Sequence, residues 1–268
     1  MIEDGQKVRV SVEKLSLGGD GIARAEGMVL FVPYSAPGDD LEVRVGGKKK
    51  TFARAQILEV IKQGPARVVP ACPLYFNPVT QAPWCGGCNF QHLNYQAQLD
   101  AKSQALKETF EKIAGLSPAI EPPLRMEDGD EWRYRNKMQL PFAKDSEGKV
   151  VAGFFSPGSH AVVPQKDCLI HSEQVSALSG FIVQKMNEWN LEPYSEKEHK
   201  GWLRHTIIRE ASNGGLLLSF VTSSEFFPKK AEWVAELTKQ FPKLVGIMQN
   251  LNPEKTNVIL GEIGRAHV

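Results

Sequence analysis

The run Met28-Val29-Leu30-Phe31-Val32 is continuously apolar, as expected of a buried strand. Alternating apolar positions flank it, at Val8, Val10 and Val12 before it and at Leu41, Val43 and Val45 after it. A further strand is predicted over residues 52–61. Turn-forming clusters separate these strands, at residues 18–21, 36–39 and 46–47. Short strands at such regular spacing predict a small β-barrel over residues 5–62.

The rest of the chain, residues 63–261, predicts a second and larger domain. It begins with a loop rich in Pro, Gly and Cys over residues 70–92. A helix follows, with Leu99, Leu106, Phe110 and Ile113 on one face and Gly115 as its C-cap. Later strands are predicted over residues 132–163, 203–209, 216–222 and 245–250, and later helices over residues 175–189 and 229–240. Because strands and helices do not alternate strictly, the predicted fold class is α+β, with an OB-like barrel at the N-terminus.

Composition sets the class of protein. The chain has 268 residues, of which 42% are hydrophobic, and 32 Lys+Arg against 31 Asp+Glu give a formal net charge of +1. These values exclude collagen-like and intrinsically disordered chains, and any affinity for nucleic acid must come from a local surface. No apolar run reaches the roughly 18–20 residues that span a bilayer, and the acidic start lacks the features of a signal peptide. We therefore expect a cytoplasmic protein without a membrane partner.

Four cysteines are too few for a disulfide scaffold in a chain of this length. Two of them form the motif Cys85-Gly86-Gly87-Cys88, whose thiolates can hold one metal centre. Cys72 precedes this motif by 13 positions, and Cys168 follows it by 80. The four together equal the ligand count of a Cys₄ iron–sulfur cluster or a Cys₄ zinc site. We predict a metal centre.

Iron–sulfur is favoured over zinc because structural zinc usually pairs two C-x₂-C motifs and this chain has one. A thioredoxin-type redox pair is the alternative for Cys85 and Cys88, although that motif belongs near a βαβ unit. Inert burial is the alternative for Cys72 or Cys168 taken singly. Zinc and iron–sulfur both remain open at this point.

Two groups of cations are candidate RNA contacts. The first lies at the Gly46-Gly47 turn of the barrel and comprises Arg44, Lys48, Lys49, Lys50 and Arg54. The second interleaves with aromatic residues and comprises Arg133, Arg135 and Lys137. A solvated hairpin tip and an edge strand are the respective alternatives. The chain contains no phosphate-binding glycine loop and no G-x-S-x-G motif, so no catalytic residue is predicted.

Several of these motifs occur in the order seen in RNA (uracil-5)-methyltransferases. They are Cys72, Cys85–Cys88 with Gln91-His92, Trp132–Lys137, Gly153-Phe154-Phe155 with Ser159-His160, Cys168, Leu203-Arg204-His205 and Asn257–Gly261. Over residues 5–261 the chain resembles the branch of this family that acts on 23S rRNA. It departs from that branch in the 12 residues between Cys72 and Cys85, a longer gap that inserts residues 77–83.

The resemblance implies a TRAM domain for the barrel. It implies a structural [4Fe–4S] cluster with the ligands Cys72, Cys85, Cys88 and Cys168, and it makes both groups of cations RNA contacts. It further implies S-adenosylmethionine as the methyl donor and C5 of a uridine as the acceptor. The nucleophilic cysteine and the base of that reaction belong to a C-terminal Rossmann-like domain in this family.

The last seven residues, 262–268, depart from the family pattern, and their back-translation reproduces a sequencing-adapter string. We therefore expect them to be a non-native tail. The chain is then expected to be the inactive RNA- and cluster-binding part of a methyltransferase, with the Rossmann-like domain absent. The alternative is a non-catalytic RNA-binding adaptor with a structural Cys₄ metal site. No obligate protein partner is predicted.

Overall fold

The computed structural model describes residues 2–80, 82–127 and 131–267. It divides into two compact units, residues 1–127 and residues 128–268. The predicted insertion at residues 77–83 includes Gln81, and the predicted tail includes Val268; these two positions lie outside the described residues. No helix in the described ranges has both the length and the apolar character that a bilayer crossing requires. The domain boundary predicted after residue 62 stays a prediction.

Five strands of the first unit close into a barrel with the neighbour order β1-β2-β3-β5-β4. They are β1 (Lys7–Leu15), β2 (Gly21–Ala25), β3 (Met28–Val32), β4 (Asp40–Gly46) and β5 (Phe52–Lys62). β1 pairs with β4 to complete the ring, and β3 pairs with β5 in parallel. The alternating valines and leucines of β1 and β4 point into a common core, which confirms the predicted strand pattern.

A buried ion pair ties the chain that leaves β5 to the barrel. The carboxylate of Asp39 is fully buried and accepts hydrogen bonds from Arg67 Nη2 at 2.6 Å and from the Gly64 N–H at 2.9 Å. Arg67 also donates to the carbonyl of Tyr34 at 2.9 Å. A side chain at position 64 would place its Cβ only 2.9 Å from the Asp39 nitrogen, so glycine is needed for this close approach.

The helix α1 (Tyr95–Thr109) begins at Asn94, whose side chain accepts a hydrogen bond from the Ala97 N–H at 2.8 Å. It continues into a π-helical turn over residues 110–114 and ends at Gly115, with φ of 65°, which confirms the predicted cap. The predicted apolar face is only partly buried. Leu99 is buried, whereas Leu106, Phe110 and Ile113 are exposed.

The second unit is built on a seven-stranded sheet with the order β12-β11-β10-β9-β6-β7-β8. The strands are β6 (Lys137–Lys144), β7 (Val150–Phe155), β8 (Val162–Pro164), β9 (Leu203–Glu210), β10 (Leu216–Thr222), β11 (Leu244–Leu251) and β12 (Ile263–Ala266). The first three form the meander predicted over residues 132–163. β12 pairs with β11, so the described part of the predicted tail contains an edge strand.

Two helices complete this unit: α2 (Glu173–Glu188), which is capped by the Ser172 side chain, and α3 (Lys230–Gln240). The core between helices and sheet is built around Trp202, Phe220 and Trp233. α3 connects β10 to β11, and these two strands are parallel. The α+β class is therefore too simple for this unit, because β10, α3 and β11 form a βαβ crossover. The two strands and the helix were predicted in this order from the sequence, but their parallel pairing was not, because strand direction depends on contacts between distant residues.

Candidate functional site

The loop between β5 and α1 carries three of the four cysteines. Cys72, Cys85 and Cys88 are partly buried, and all three lie in the first unit. Cys72 and Cys88 pack against the barrel core together with Trp84. The Gly87 N–H donates to Cys85 Sγ at 3.4 Å, so the glycine of the motif points a backbone donor at sulfur. In the part of the chain that the structure describes, no three His, Cys, Asp or Glu side chains converge on a metal-binding geometry.

An aromatic cluster lies between this loop and the barrel. Tyr34 stacks on Phe76 with ring centroids 4.6 Å apart, and Trp84 Nε1 donates to the Tyr34 hydroxyl at 3.0 Å. Tyr75 meets Tyr34 edge to face at 5.6 Å. Burial raises the pKa of both tyrosines, so both hydroxyls keep their protons at neutral pH. The cluster gives the cysteine loop a rigid, apolar support.

His92 fixes the end of the same loop. Its Nε2 lies 3.1 Å from the Ser35 carbonyl, and its Nδ1 lies 2.7 Å from the Tyr75 hydroxyl. Because a carbonyl only accepts, Nε2 carries the proton of the neutral ring. Burial lowers the pKa of His92 to about 4, so the imidazole is uncharged at neutral pH. His92 therefore acts as a neutral bridge between the barrel and the loop.

Cys168 belongs to the second unit, between β8 and α2. Its N–H donates to Ser176 Oγ at 3.4 Å, and its carbonyl accepts from Arg133 Nη1 at 2.9 Å. Arg133 also binds the Asp167 carboxylate through two nitrogens and the His171 carbonyl at 2.8 Å. The predicted RNA contact Arg133 thus holds the Cys168 segment in place.

The predicted cations of the barrel are all exposed: Arg44, Lys48, Lys49, Lys50 and Arg54. Two of them also make contacts within the unit. Lys48 Nζ donates to the Ile2 carbonyl at 2.6 Å, and Arg54 lies 3.6 Å from the Asp20 carboxylate. In the second unit Arg135 and Lys137 are exposed at the start of the sheet. Exposed cations on a barrel surface can contact phosphates, and the structure leaves all of these side chains accessible.

The role of Arg204 was missed at the level of sequence, where it entered only as part of a motif. Arg204 is buried, and its guanidinium donates to the carbonyls of Asn252 at 3.0 Å and Thr256 at 3.1 Å. The Asn252 side chain in turn donates to the carbonyls of Val258 and Ile259. Two motifs far apart in sequence are thereby joined. The motif Leu203-Arg204-His205 was the available signal, and nothing in its residue types marks Arg204 as buried.

Comparison with known protein families assigns the barrel. Residues 3–58 match the TRAM domain. This stretch covers all of β1 to β4 and most of β5. Residues 3–58 are a TRAM domain. The predicted name of the barrel is therefore confirmed, and its exposed cations lie on the TRAM domain.

Proteins named as uncharacterized RNA methyltransferases align along nearly the whole chain. One from Listeria monocytogenes is 36% identical and covers 98% of this chain. One from Listeria innocua is 37% identical, also over 98% of this chain, and one from Bacillus cereus is 33% identical over 97%. In each case the match covers 55% or 56% of the relative. The chain thus spans about half the length of these relatives.

One solved structure shares the fold of this chain. It is the Pyrococcus abyssi tRNA (uracil-54, C5)-methyltransferase in complex with S-adenosyl-L-homocysteine. The TM-score is 0.67 at 24% sequence identity, and the match covers 96% of this chain and 55% of the other. At this identity the match establishes the fold and nothing more.

These matches contradict three connected predictions. The predicted fold class was α+β with the Rossmann-like methyltransferase domain absent. This is wrong, because 96% of the chain shares the fold of a solved methyltransferase. The predictions of an inactive fragment and of a missing catalytic domain rested on that absence. They are contradicted as well, because relatives named RNA methyltransferases align over 98% of this chain.

Proposed function

We propose that this protein is an RNA methyltransferase that transfers the methyl group of S-adenosylmethionine to C5 of a uridine in 23S rRNA. The observation that carries the proposal is the alignment with RNA methyltransferases over 98% of the chain. The uracil C5 specificity is supported by the order of the sequence motifs and by the fold shared with a tRNA (uracil-54, C5)-methyltransferase. The methyl donor is supported by S-adenosyl-L-homocysteine, its demethylated form, in that neighbour.

RNA binding is the step to which the described residues contribute. The TRAM domain presents Arg44, Lys48, Lys49, Lys50 and Arg54 to solvent, and the second unit presents Arg135 and Lys137. Such cations neutralise backbone phosphates and release counterions. Arg133 is half-buried on Asp167, so its contribution to RNA binding stays a prediction.

The test is methyl transfer from labelled S-adenosylmethionine to unmodified RNA. The protein is incubated separately with 23S rRNA and with tRNA transcripts, and nuclease digests are analysed by mass spectrometry. We expect 5-methyluridine at a single position of the 23S rRNA. Methylation of tRNA alone would show that the substrate is tRNA and not 23S rRNA. Methylation at a position other than uracil C5, or RNA that is neither bound nor methylated, would overturn the proposal.

We further propose that Cys72, Cys85, Cys88 and Cys168 hold a [4Fe–4S] cluster. The support is the type of donor, because three partly buried thiols share one loop and the Gly87 N–H points at Cys85 Sγ. The described side chains do not converge on one point. Hydrogen bonds to sulfur and the exclusion of solvent are the means by which a protein sets the reduction potential of such clusters. The cluster would stabilise the loop that carries its ligands, and the chain's own residues would orient those ligands.

Metal analysis tests the cluster directly. Protein purified without oxygen is assayed for iron, acid-labile sulfide and zinc, and its visible spectrum is recorded. About four irons and four sulfides per chain are expected from a [4Fe–4S] centre. One zinc per chain without sulfide would assign the site to zinc. If iron, sulfide and zinc are all absent, the cysteines only pack against their neighbours and hold no metal.

A further inference from the structure

A cavity in the second unit has no assigned role. Its volume is about 590 Å³, within the range of roughly 300–1,000 Å³ that is typical of small-ligand sites. It opens between β6, the β7–β8 connection and the segment 192–198. The side chains that decide its chemistry are Phe155, His160, Tyr194, Glu196, Arg204 and His205.

Two of these side chains have buried polar atoms that the protein leaves unsatisfied. His205 is 6% exposed, and its Nδ1 has no hydrogen-bond partner within the described residues. Arg204 is 5% exposed, and its Nε likewise has none there. Buried polar atoms are almost always paired in folded proteins, so these two nitrogens call for a partner that the described side chains do not supply, such as a water, an ion or a ligand. Burial and the nearby Arg204 charge lower the pKa of His205 to about 4, so the neutral ring offers one donor and one acceptor.

The remaining walls are flat and aromatic. The Arg204 guanidinium stacks on the Tyr194 ring at 4.7 Å from its centroid, and Phe155 packs on His160 with centroids 5.3 Å apart. The Tyr194 hydroxyl lies 3.1 Å from His199 Nδ1, which fixes the ring. Aromatic and guanidinium planes of this kind are the surfaces on which unpaired bases stack in RNA-binding proteins.

The segment that carries Tyr194 is held rigidly. The Tyr194 N–H donates to the Leu203 carbonyl at 2.8 Å, and the Ser195 N–H donates to the Lys200 carbonyl at 2.7 Å. Gly201 has φ of 104°, and a Cβ there would collide with the Pro193 backbone. The wall is therefore formed before any ligand binds, which lowers the entropic cost of binding.

The charged side chains of the cavity are balanced. The carboxylates Glu192, Glu196 and Glu198 line it together with the cations Lys144, Lys197 and Arg204. Glu192 pairs with Lys144, and Glu196 pairs with His160. The cavity therefore presents no excess charge of one sign, and a planar ring with hydrogen-bonding edges can bind there through stacking and neutral hydrogen bonds.

We propose that this cavity binds one unstacked nucleobase of the RNA, at a position other than the uridine that is methylated. The base stacks on the aromatic wall and directs a hydrogen-bonding edge toward His205. This inference rests on the proposed function, because it takes RNA as the substrate. It adds a second point of recognition, through which the protein reads the surroundings of the target.

The first test uses the wild-type protein and the four ribonucleosides, which carry no phosphate. The imidazole nitrogen signals of His205 are followed by NMR as each nucleoside is added. We expect one nucleoside to shift the signals of His205 and of residues 192–198, and the other three nucleosides to cause smaller shifts. No shift with any nucleoside would overturn the proposal. A shift with S-adenosylmethionine but not with nucleosides would also overturn it, since the cavity would then be a cofactor site.

The second test measures binding of a short single-stranded RNA by three variants. Tyr194→Ala is expected to weaken binding by about 5- to 150-fold, the equivalent of the roughly 1–3 kcal/mol that stacking of one base contributes. Tyr194→Phe keeps the ring and is expected to bind like the wild type. Phe226→Ala removes an aromatic side chain that is 71% exposed in the same unit outside the cavity, and serves as the matched control.

The outcomes separate the two proposals. Wild-type protein that fails to bind any RNA would overturn the proposed function. Wild-type binding that Tyr194→Ala leaves unchanged would overturn the nucleobase cavity and leave the proposed function intact. If Tyr194→Ala does not fold, as judged by circular dichroism, the wild-type NMR titration decides the question by itself.

Discussion

Arg133 forms a bidentate ion pair with Asp167, with Nη1 2.7 Å from Oδ1 and Nη2 2.8 Å from Oδ2. The same guanidinium binds the carbonyls on either side of the turn that begins at Cys168. This arginine therefore determines where the Cys168 backbone lies. The pair also raises the pKa of Arg133 and lowers that of Asp167, mainly through their mutual hydrogen bonds.

Replacing Arg133 should loosen the Cys168 segment. We expect Arg133→Ala to lower the free energy of unfolding by about 1–2 kcal/mol, because several hydrogen bonds to a charged group are lost from a half-exposed site. Hydrogen exchange over residues 167–172 should accelerate in the same variant. Arg135→Ala is the control. If hydrogen exchange over residues 167–172 is equally fast in the two variants, Arg133 does not position this segment.

Breaking the buried pair of the first unit should be more costly. Arg67→Met leaves the fully buried Asp39 carboxylate without its cation, and the loss of one partner from a buried pair costs about 3–5 kcal/mol. Urea denaturation measures the change. Arg54→Met, which breaks an exposed pair at 3.6 Å, should cost no more than about 1 kcal/mol. Similar losses in both variants would mean that the Asp39 bonds do not anchor residues 63–67.

Acid should destabilise the first unit through His92. Its folded pKa is about 4, below the roughly 6.5 of an unfolded histidine, so the unfolded chain binds more protons between these values. Stability is full above pH 6.5 and falls as the pH drops toward 4, by up to about 3 kcal/mol. We expect His92→Gln to flatten this pH dependence in urea titrations. Asn89→Gln, at an exposed position of the same loop, removes no titratable group and should leave the profile unchanged. An unchanged slope in His92→Gln would exclude this cause.

The lysines at the barrel turn should account for part of the salt dependence of RNA binding. Replacing Lys48, Lys49 and Lys50 by Ala should weaken binding and reduce the slope of log K against log salt by about 2–3. Fluorescence anisotropy at several salt concentrations measures both. A triple variant of the exposed Lys230, Lys239 and Lys243 is charge-matched and should change the slope less. Equal slopes in the two triple variants would show that the lysines of the barrel turn contribute no more to RNA binding than other exposed lysines.

Cluster assembly should depend on the cysteine motif. Cys88→Ser removes one proposed ligand, and we expect its iron and sulfide contents to fall sharply. Asn89→Ser changes the neighbouring exposed residue and should retain both. Iron content in Cys88→Ser equal to that of the control would exclude Cys88 as a ligand.

The barrel could be predicted from sequence because its signal is local. Alternating valines in β1 and β4 and glycine turns between strands specify which residues face the core, and the structure confirms them. The sequence did not reveal that β3 and β5 are parallel neighbours, since strand order depends on contacts between distant residues. The burial of the apolar face of α1 was overestimated for a related reason. Leu106 and Phe110 have helical spacing, yet burial depends on what packs against them.

The candidate sites were predictable to the same limited extent. The cysteine motif was visible as residue types at a fixed spacing, and its aromatic support was not, because Tyr34 and Phe76 meet only after folding. Two of the sequence motifs, Phe155 with His160 and Arg204 with His205, line the cavity beside Tyr194. The sequence could not show that they meet, since the walls come from β6, β7, β9 and an intervening segment. Buried His205 and Arg204 looked like ordinary motif residues until their unpaired nitrogens were located.

The parallel pairing of β3 with β5 has a consequence for how the TRAM domain folds. Hairpins β1–β2, β2–β3 and β4–β5 are local, whereas the pairs β3–β5 and β1–β4 join distant parts of the chain and form late. Until they form, the domain consists of the three-stranded sheet β1-β2-β3 and the separate hairpin β4–β5, with four unpaired edges that can pair with strands of other molecules. Substitutions that weaken the β3–β5 or β1–β4 pairing should therefore cause aggregation during synthesis or refolding before they cause any defect in the folded barrel.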